Sequence, residues 1–234
     1  MMPTSHISTQ FDAELEEIRT LMLRMGGLVE EQLRDALAGF EARDAALLEI
    51  VEAKEDEVNV LELDLDDRCT HVVARRQPAA GDLRMLMAVF KTIADLERIG
   101  DEAVKIARAA LRVQSRGASV PEGFSGLRAA GQIASGMLKG ALDAFARVDP
   151  DAADQIVLQD RQMDDEFRRL LRELVTFMLE DPRTISTGLD IIWIGKALER
   201  VGDHAKNIAQ HVIYIAKGID VRHKKARARL ESSS

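Results

Sequence analysis

Several residue types are scarce in this chain of 234 residues, and their scarcity narrows the choice of fold. Aromatic residues make up 4% of the sequence and only five prolines occur, whereas apolar residues as a whole make up 46%. Because strands are enriched in aromatic and β-branched residues, this composition favours packed helices over a sheet. The single cysteine, Cys69, excludes an internal disulfide. It falls on an apolar helical stripe, so we expect a small core residue there.

Positive charge is also in deficit, because the formal net charge of the chain is −8. A general nucleic-acid binder needs a cationic surface, so we expect no nucleic-acid partner. The one basic run lies at residues 222–229. We expect it to be a solvated tail, with contact to an acidic partner or to lipid headgroups as the alternative.

Long apolar runs are absent too. No stretch approaches the ~20 apolar residues that span a bilayer. Residues 1–10 are polar and contain no apolar signal-peptide core. We therefore expect a soluble, cytoplasmic protein whose association with a membrane is peripheral.

Motifs of the common enzyme classes are missing from the sequence. It contains no phosphate loop, no GxSxG and no HExxH. The Glu-x-x-His pairs of ferritin-like di-iron bundles are also absent from the third and sixth predicted helices. We predict a protein that is not an enzyme, and a ferritin-like metal-dependent enzyme or storage protein is the alternative.

Apolar residues recur at intervals of three or four along most of the chain, which is the spacing of one helical face. In the first helix this stripe includes Met22, Met25, Val29 and Leu33. Pro78 and a stretch rich in Gly, Ser and Pro at 114–123 interrupt the pattern. We predict an all-α fold of two tandem three-helix bundles, at residues 8–114 and 124–219, followed by a basic tail at 220–234.

An internal repeat supports this division. LERIGDEAVKIA at 96–107 matches LERVGDHAKNIA at 198–209 at eight of twelve positions. A second, collinear match lies upstream at an offset of 105 residues. The chain is therefore a duplicated unit, and a period this long indicates two domains, since solenoid repeats are typically ~20–50 residues. The upstream match pairs Ala36, Leu37, Phe40 and Asp44 with Ala141, Leu142, Phe145 and Asp149.

Oxygen-bearing side chains four residues apart occur at matching places in the two units. Four residues span one helical turn, so both members of a pair lie on the same side of their helix. Their helical phase places them at the edge of the apolar stripe, which suits an open site for hard cations such as Mg²⁺, Ca²⁺, Mn²⁺ or ferric iron. The candidate metal ligands are Glu55, Asn59, Glu97 and Asp101 in the first unit, and Asp160, Asp164, Glu199 and Asp203 in the second.

Ordinary surface salt bridges are the main alternative for each pair, with Arg98 and Lys105 as partners worth about 0–1 kcal/mol each. A plain scaffold whose acidic pairs are merely solvated is a third possibility. Gly100 and Gly202 precede the two aspartates and cost about 1 kcal/mol relative to Ala in a helix. They indicate either close helix packing or room for a bound group.

Other polar and aromatic residues suggest less specific roles. His204 follows Asp203 and is a candidate accessory ligand, although its repeat mate is Glu102. His211 is expected at the boundary of the core. Trp193 and Tyr214 occupy helix-packing positions, so we expect both in the core.

Several stretches make the sequence recognisable. VARRQPAAGDLRMLMAVFKTIADLERIGDEAVKIA closely resembles the first repeat of the PhoU family of phosphate-specific transport accessory proteins. FMLEDPRTIS followed by LERVGDHAKNIA resembles the second repeat, and MGGLVEEQL resembles the first helix of the family. The resemblance covers about residues 6–223, which is nearly the whole chain.

The resemblance implies two three-helix bundles with metal clusters (Fe, Mn, Mg, Ca or Zn) held on the bundle surface by E(D)xxxD motifs. The motif matches 97/101, 199/203 and 160/164, whereas the pair at 55/59 departs from it at Asn59. The resemblance also implies a negative regulator of the phosphate-starvation response, the Pho regulon. Its expected partners are the ATPase of the phosphate ABC transporter (PstB-like), a sensor histidine kinase (PhoR-like) and a second copy in a homodimer.

Overall fold

Six α-helices make up the part of the fold that the structure describes. The computed structural model describes residues 9–76, 78, 80–117 and 125–222, and within these ranges it contains helices and no strand. The predicted all-α class is therefore confirmed. The helices are α1 (Thr9–Ala42), α2 (Ala45–Arg76), α3 (Ala80–Ser115), α4 (Ser125–Arg147), α5 (Pro150–Glu180) and α6 (Ile185–Lys217), with a 3₁₀ turn at Pro182–Thr184 between α5 and α6.

Helices α1 to α3 pack into one three-helix bundle, and α4 to α6 pack into a second. The bundles join where α3 and α6 lie side by side, which is the most extensive contact between any two of these helices. Arg112 on α3 meets Asp190 near the start of α6 at 2.8 Å, and Glu102 meets Arg200 at 3.0 Å, so the two helices run antiparallel. The buried apolar residues of both bundles form one continuous core.

The two units repeat the same turn between their first and second helices. Arg43 and Val148, at the 105-residue offset, have positive φ angles of 54° and 51°. Asp44 and Asp149 follow them, and each carboxylate accepts a hydrogen bond from a backbone N–H in the first turn of the next helix, at 3.1 and 3.0 Å. The repeat seen in the sequence therefore extends to backbone conformation and helix capping.

The predicted linker and tail lie partly outside the described residues. Helix α3 continues to Ser115, and residues 118–124 of the linker region are not among those described. At the other end, α6 ends in Gly218, whose φ of 69° is the left-handed conformation that glycine adopts readily at a helix C-terminus. Of the predicted basic tail, residues 220–222 are described and 223–234 are not.

Burial confirms one of the core predictions and corrects two other placements. Cys69 is fully buried, and burial raises the pKa of its thiol to about 12, so it is an unreactive core residue. The prediction for Trp193 is wrong, because its side of α6 faces away from the core and leaves it 63% exposed. His211 is buried and not at the boundary, and Tyr214 is partly buried. Within the described ranges, no helix combines the length and apolar character needed to cross a membrane.

Candidate metal sites

All eight predicted metal ligands lie at the margin of the core, with part of each side chain exposed. In the first unit, the field of Glu97 and Asp101 on α3 acts on Glu55 on α2, so these three carboxylates are neighbours. In the second unit, Asp160 on α5 and Asp203 on α6 share one contacting side chain. The helices therefore bring Glu55, Glu97 and Asp101 together in the first bundle, and Asp160 and Asp203 in the second.

The first unit holds its carboxylates close together with little neutralising charge. Burial raises the pKa of Glu55, and the charges of Asp101 and Glu97 raise it further, against a hydrogen bond from Gln32 Nε2 at 3.1 Å. Burial and the charge of Asp101 likewise raise the pKa of Glu97. A lysine, Lys105, lies 3.7 Å from Asp101, but the same ammonium group also lies 3.0 Å from Glu102.

Glu62 is a further member of this cluster that the sequence analysis missed. Burial raises the pKa of its carboxyl, and the charges of Glu97, Asp66 and Asp101 add to that rise. It stands seven residues after Glu55, two turns along the same face of α2. That spacing was the signal by which it could have been found. We call Glu55, Glu62, Glu97 and Asp101 the first-unit carboxylate cluster.

The second unit shares three of the carboxylate positions, with Asp164 in place of Asn59 and Phe167 in place of Glu62, and it neutralises its carboxylates with its own cations. Lys206 Nζ lies 2.8 Å from Asp160 Oδ2 and 2.8 Å from Asp203 Oδ1. Burial lowers the pKa of Lys206, but the hydrogen bonds to the two aspartates outweigh that effect and raise it overall. Lys196 Nζ lies 2.6 Å from Glu199, and Arg168 lies 3.7 Å from Asp164.

The repeat alignment identifies two positions that account for this difference. At the 102-residue offset, Lys206 replaces Val104 of the first unit, and Lys196 replaces Ala94. The second unit thus has two cations that the first unit lacks, whereas Lys105 of the first unit is Asn207 in the second. An ammonium group between Asp160 and Asp203 stands where a bound cation would neutralise the same pair.

The glycines before the aspartates differ in the same way. A Cβ atom added at Gly100 would lie 3.1 Å from Gln32 Oε1 and 3.3 Å from Glu55 Oε2, so glycine lets polar groups approach α3 closely. A Cβ atom at Gly202 would instead lie 3.0 Å from Cγ of Met163, an apolar contact. Close packing therefore explains Gly202, whereas Gly100 admits the polar groups of the cluster.

The carboxylates are not arranged as a closed coordination sphere. Within the part of the chain that the structure describes, no three His, Cys, Asp or Glu side chains converge closely enough to enclose a metal ion. The donor chemistry of the first-unit cluster nevertheless fits a hard cation, because carboxylate oxygens without counter-charge are the ligands such ions prefer. In the second unit a cation must first displace Lys206.

A second polar cluster, missed by the sequence analysis, lies between α3 and α6. Asp95 is 5% exposed and accepts hydrogen bonds from His204 Nδ1 at 2.8 Å, His211 Nε2 at 3.1 Å and Asn207 Nδ2 at 3.2 Å. Burial raises the pKa of Asp95, but the three donors outweigh burial and lower it to about 2. His204 is thereby committed to Asp95, which argues against its predicted role as an accessory ligand.

The ferritin-like alternative requires carboxylates and histidines that converge inside a bundle. Among the described residues, the buried acids Asp95, Glu102 and Asp190 all lie where α3 meets α6. Asp95 is bound by histidines, Glu102 by Lys105 and Arg200, and Asp190 by arginines. None of these groups favours a di-iron centre.

The helices and their paired acidic edges define the class: a protein of two fused, duplicated three-helix bundles. Comparison with known families gives the same duplication, because the family model described as the PhoU domain matches residues 22–110 and again 127–212. The chain belongs to the PhoU family.

Relatives and solved structures agree over nearly the full length. The phosphate-specific transport system accessory protein PhoU homolog of Pseudomonas aeruginosa is 49% identical over 94% of this chain and 90% of its own length. The accessory protein PhoU of Escherichia coli K12 is 43% identical over 93% and 90%. The crystal structure of PhoU from Pseudomonas aeruginosa superposes with a TM-score of 0.87 at 47% identity, covering 89% of this chain and all of that one. The phosphate transport system regulatory protein PhoU from Streptococcus pneumoniae gives 0.83 at 28% identity over 90% and 99%.

Proposed function

We propose that this protein is a negative regulator of the phosphate-starvation response and of phosphate uptake, acting as an adaptor and not as an enzyme. The observation that carries the proposal is family membership over both repeats, with relatives named as accessory or regulatory proteins of phosphate transport. Outside the first-unit carboxylate cluster, acids such as Asp160 and Asp95 pair with a lysine or with histidines. No enzyme motif accompanies them in the sequence.

The proposed partners are the transporter ATPase and the sensor histidine kinase, which this protein would link on the cytoplasmic side. At high phosphate it would hold the kinase in its inactive or phosphatase state. Association with the membrane would then be peripheral, through these partners. A homodimer is part of the same proposal, since it would present each partner surface twice.

Co-purification from cells grown at high and low phosphate tests the adaptor role. The full chain is tagged, and the ATPase and kinase are quantified in the eluate by mass spectrometry. We expect both partners at high phosphate, together with constitutive expression of phosphate-starvation genes when this gene is deleted. Recovery of neither partner under either condition, with normal repression in the deletion strain, would refute the proposal.

We further propose that the first-unit carboxylate cluster binds a divalent or ferric cation. Support comes from the raised pKa values of Glu55, Glu62 and Glu97, which are due first to burial and then to the charges of neighbouring carboxylates. A bound cation would remove that repulsion and therefore stabilise the fold. The second-unit carboxylates are a weaker proposed site, because binding there must displace Lys206.

Metal titration tests this proposal without any assay of regulation. Manganese(II) and ferric citrate are added to metal-free protein, and bound metal is measured by elemental analysis after gel filtration. We expect the double variant Glu97→Gln/Asp101→Asn to lose most of the bound metal, and Glu199→Gln/Asp203→Asn, its repeat mate, to lose much less. Equal losses in both variants, or no metal in the wild type, would count against the assignment.

A further inference from the structure

A groove between α3 and α6 is lined mainly by cationic side chains, although the chain is acidic as a whole. It encloses about 350 Å³, and five of its lining side chains are cationic while one is a carboxylate. The chain as a whole carries a net charge of −8, so this concentration of positive charge is a local exception. The groove residues are Lys105, Arg108 and Arg112 on α3, and Trp193, Lys196 and Arg200 on α6.

Two of the counter-charges of this groove lie beneath its surface, whereas Arg108 and Lys196 pair with Glu52 and Glu199 outside it. Glu102 is buried and serves two cations, Lys105 and Arg200, each at 3.0 Å. Asp190 is likewise buried and contacts both Arg112 and Arg116. Because each buried carboxylate is shared by two partly exposed cations, positive charge is left over at the solvent side of the groove.

An apolar stripe continues the groove along α6. Ile185, Leu189 and Trp193 are four residues apart and exposed, so they form one face of the helix. From Ile185 to Arg200 the surface extends roughly 22 Å at 1.5 Å per residue. A line of apolar side chains bordered by cations is complementary to an amphipathic helix with acidic flanks, and exposed Trp and Arg are the residues that most often anchor such contacts.

The equivalent surface of the other repeat, here called the equivalent groove, has fewer cations: of the six groove positions, only those of Trp193 and Arg200 have a cation there, Lys91 and Arg98. At the 102-residue offset, the residues that correspond to Ile185, Leu189 and Trp193 of the apolar stripe are Leu83, Met87 and Lys91 on α3. Leu83 and Met87 are exposed like their mates, and Lys91 Nζ lies 5.8 Å from the ring of Tyr214. The fold therefore does not require five cations at this place, because the equivalent groove has two. The opposite wall carries Asn207, Gln210 and Tyr214 where the cationic groove has Lys105, Arg108 and Arg112.

We propose that the cationic groove docks an acidic, amphipathic helical segment of a partner protein. The chain's own basic run at 222–229 has the same sign of charge as the groove and is repelled by it. This inference deepens the proposed adaptor role by locating one partner contact. It does not require metal binding in the first-unit carboxylate cluster, although Lys105 of the groove lies 3.7 Å from Asp101 of that cluster.

The only tryptophan of the chain lies in the groove, which provides a direct reporter. The probe is a synthetic helical peptide of about 18 residues, five turns, with leucines along one face and glutamates on both flanks. A second peptide carries lysine in place of every glutamate. We expect the glutamate peptide to shift the emission of Trp193 to shorter wavelength in a saturable and salt-sensitive way, and the lysine peptide to have no effect.

Repeat-matched variants provide the control, with binding followed by anisotropy of the labelled glutamate peptide. Arg108→Glu and Leu189→Ala should each weaken binding by about tenfold. Gln210→Glu and Met87→Ala make the corresponding changes in the equivalent groove and should leave binding unchanged. Arg108 is suited to this test because its partner Glu52 is also exposed, so no buried carboxylate is left unpaired.

Several outcomes would overturn the proposal. These are no binding of the glutamate peptide, equal binding of the lysine peptide, or equal losses in the two sets of variants. A shift of Trp193 emission with phosphatidylserine vesicles but not with the peptide would show a membrane surface instead. If Arg108→Glu and Leu189→Ala still co-purify the ATPase and kinase as the wild type does, the adaptor role survives and the groove is not that contact.

Discussion

The two halves of the chain share a fold and three carboxylate positions but differ in how the charge is neutralised. In the first half, burial raises the pKa of Glu55, Glu62 and Glu97, and the charges of neighbouring carboxylates raise each of them further. In the second half, Lys206 lies between Asp160 and Asp203 and joins two helices by ion pairs. The comparison shows that a duplicated motif conserves geometry more strictly than electrostatics, so each copy has to be judged on its own neighbours.

The largest expected effect lies where the halves meet. Asp95 binds His204, His211 and Asn207 across the α3–α6 contact, and its repeat mate is Ala197. Asp95→Ala leaves the buried His211 and the partly buried His204 and Asn207 without this acceptor, so we expect a loss of about 3 kcal/mol in the free energy of unfolding. Urea denaturation at neutral pH measures it, with Asp165→Ala on the exposed face of α5 as the control. Equal midpoints for the two variants would contradict the account.

The same cluster predicts a response to acid. Because the pKa of Asp95 is lowered to about 2 from an ordinary value of 3.8, its contribution to stability is present above pH 4. It is lost as the pH falls through about 2. The difference in unfolding free energy between wild type and Asp95→Ala should therefore shrink between pH 5 and pH 2, as followed by urea denaturation. A constant difference over that range would show that the carboxylate charge is irrelevant.

Converting the second half toward the first should increase its affinity for cations. Lys206→Val removes the ammonium group and places at 206 the residue found at 104. We expect the affinity for Mn²⁺ at Asp160 and Asp203 to rise about tenfold, or about 1.4 kcal/mol, by calorimetric titration. Lys217→Val is the matched control, since that lysine forms an exposed pair with Asp154. No change in affinity would show that Lys206 does not compete with a cation.

Removing one carboxylate should act in opposite directions in the two halves. The raised pKa of Glu62 means that its ionisation disfavours the fold once the pH rises above its ordinary value of 4.5. In metal-free protein at pH 7, we expect Glu62→Gln to stabilise by about 0.5 kcal/mol and Asp160→Asn to destabilise by a similar amount, after allowance for solvent screening. The effect of Glu62→Gln should vanish near pH 4. Urea denaturation at pH 7 and pH 4 measures these changes. If both variants changed the free energy of unfolding in the same direction at pH 7, the proposed difference between the two halves would be contradicted.

The smallest effect concerns the repeated turn. Val148 is β-branched and has a φ of 51°, a conformation that costs such a residue more than it costs Arg43 at 54°. We expect Val148→Gly to raise the free energy of unfolding by about 0.5 kcal/mol, after the entropy cost of glycine, and Arg43→Gly to raise it less. Thermal unfolding of the two variants measures the difference, and the reverse order would refute the explanation.

The sequence was sufficient for the fold because local periodicity and an internal repeat agreed. The spacing of Met22, Met25, Val29 and Leu33 defined a helical face, and all four are buried. The sequence also predicted that ligands on the second and third helices of a unit would face each other, because one short turn joins those two helices. These features depend on neighbours close in the chain, which a pattern can show.

What the sequence analysis missed depends on contacts between distant residues. Asp95 and His211 are 116 residues apart, and no local pattern pairs them. Trp193 was assigned to the core because its spacing fits a stripe, but its repeat mate Lys91 indicated an outward position. The lysine at 206 was visible as a mismatch within the repeated block, and only coordinates show that its ammonium group reaches both Asp160 and Asp203.

The antiparallel packing of α3 against α6 within one chain affects how the amino-acid sequence of such a protein can evolve. Two separate but identical subunits meeting in this way would have to accept every substitution twice, once in each copy. A single gene that encodes both partners escapes this constraint, so one copy can acquire a lysine or a cationic groove while the other keeps the ancestral surface. The fused chain is in effect a dimer whose members are free to diverge.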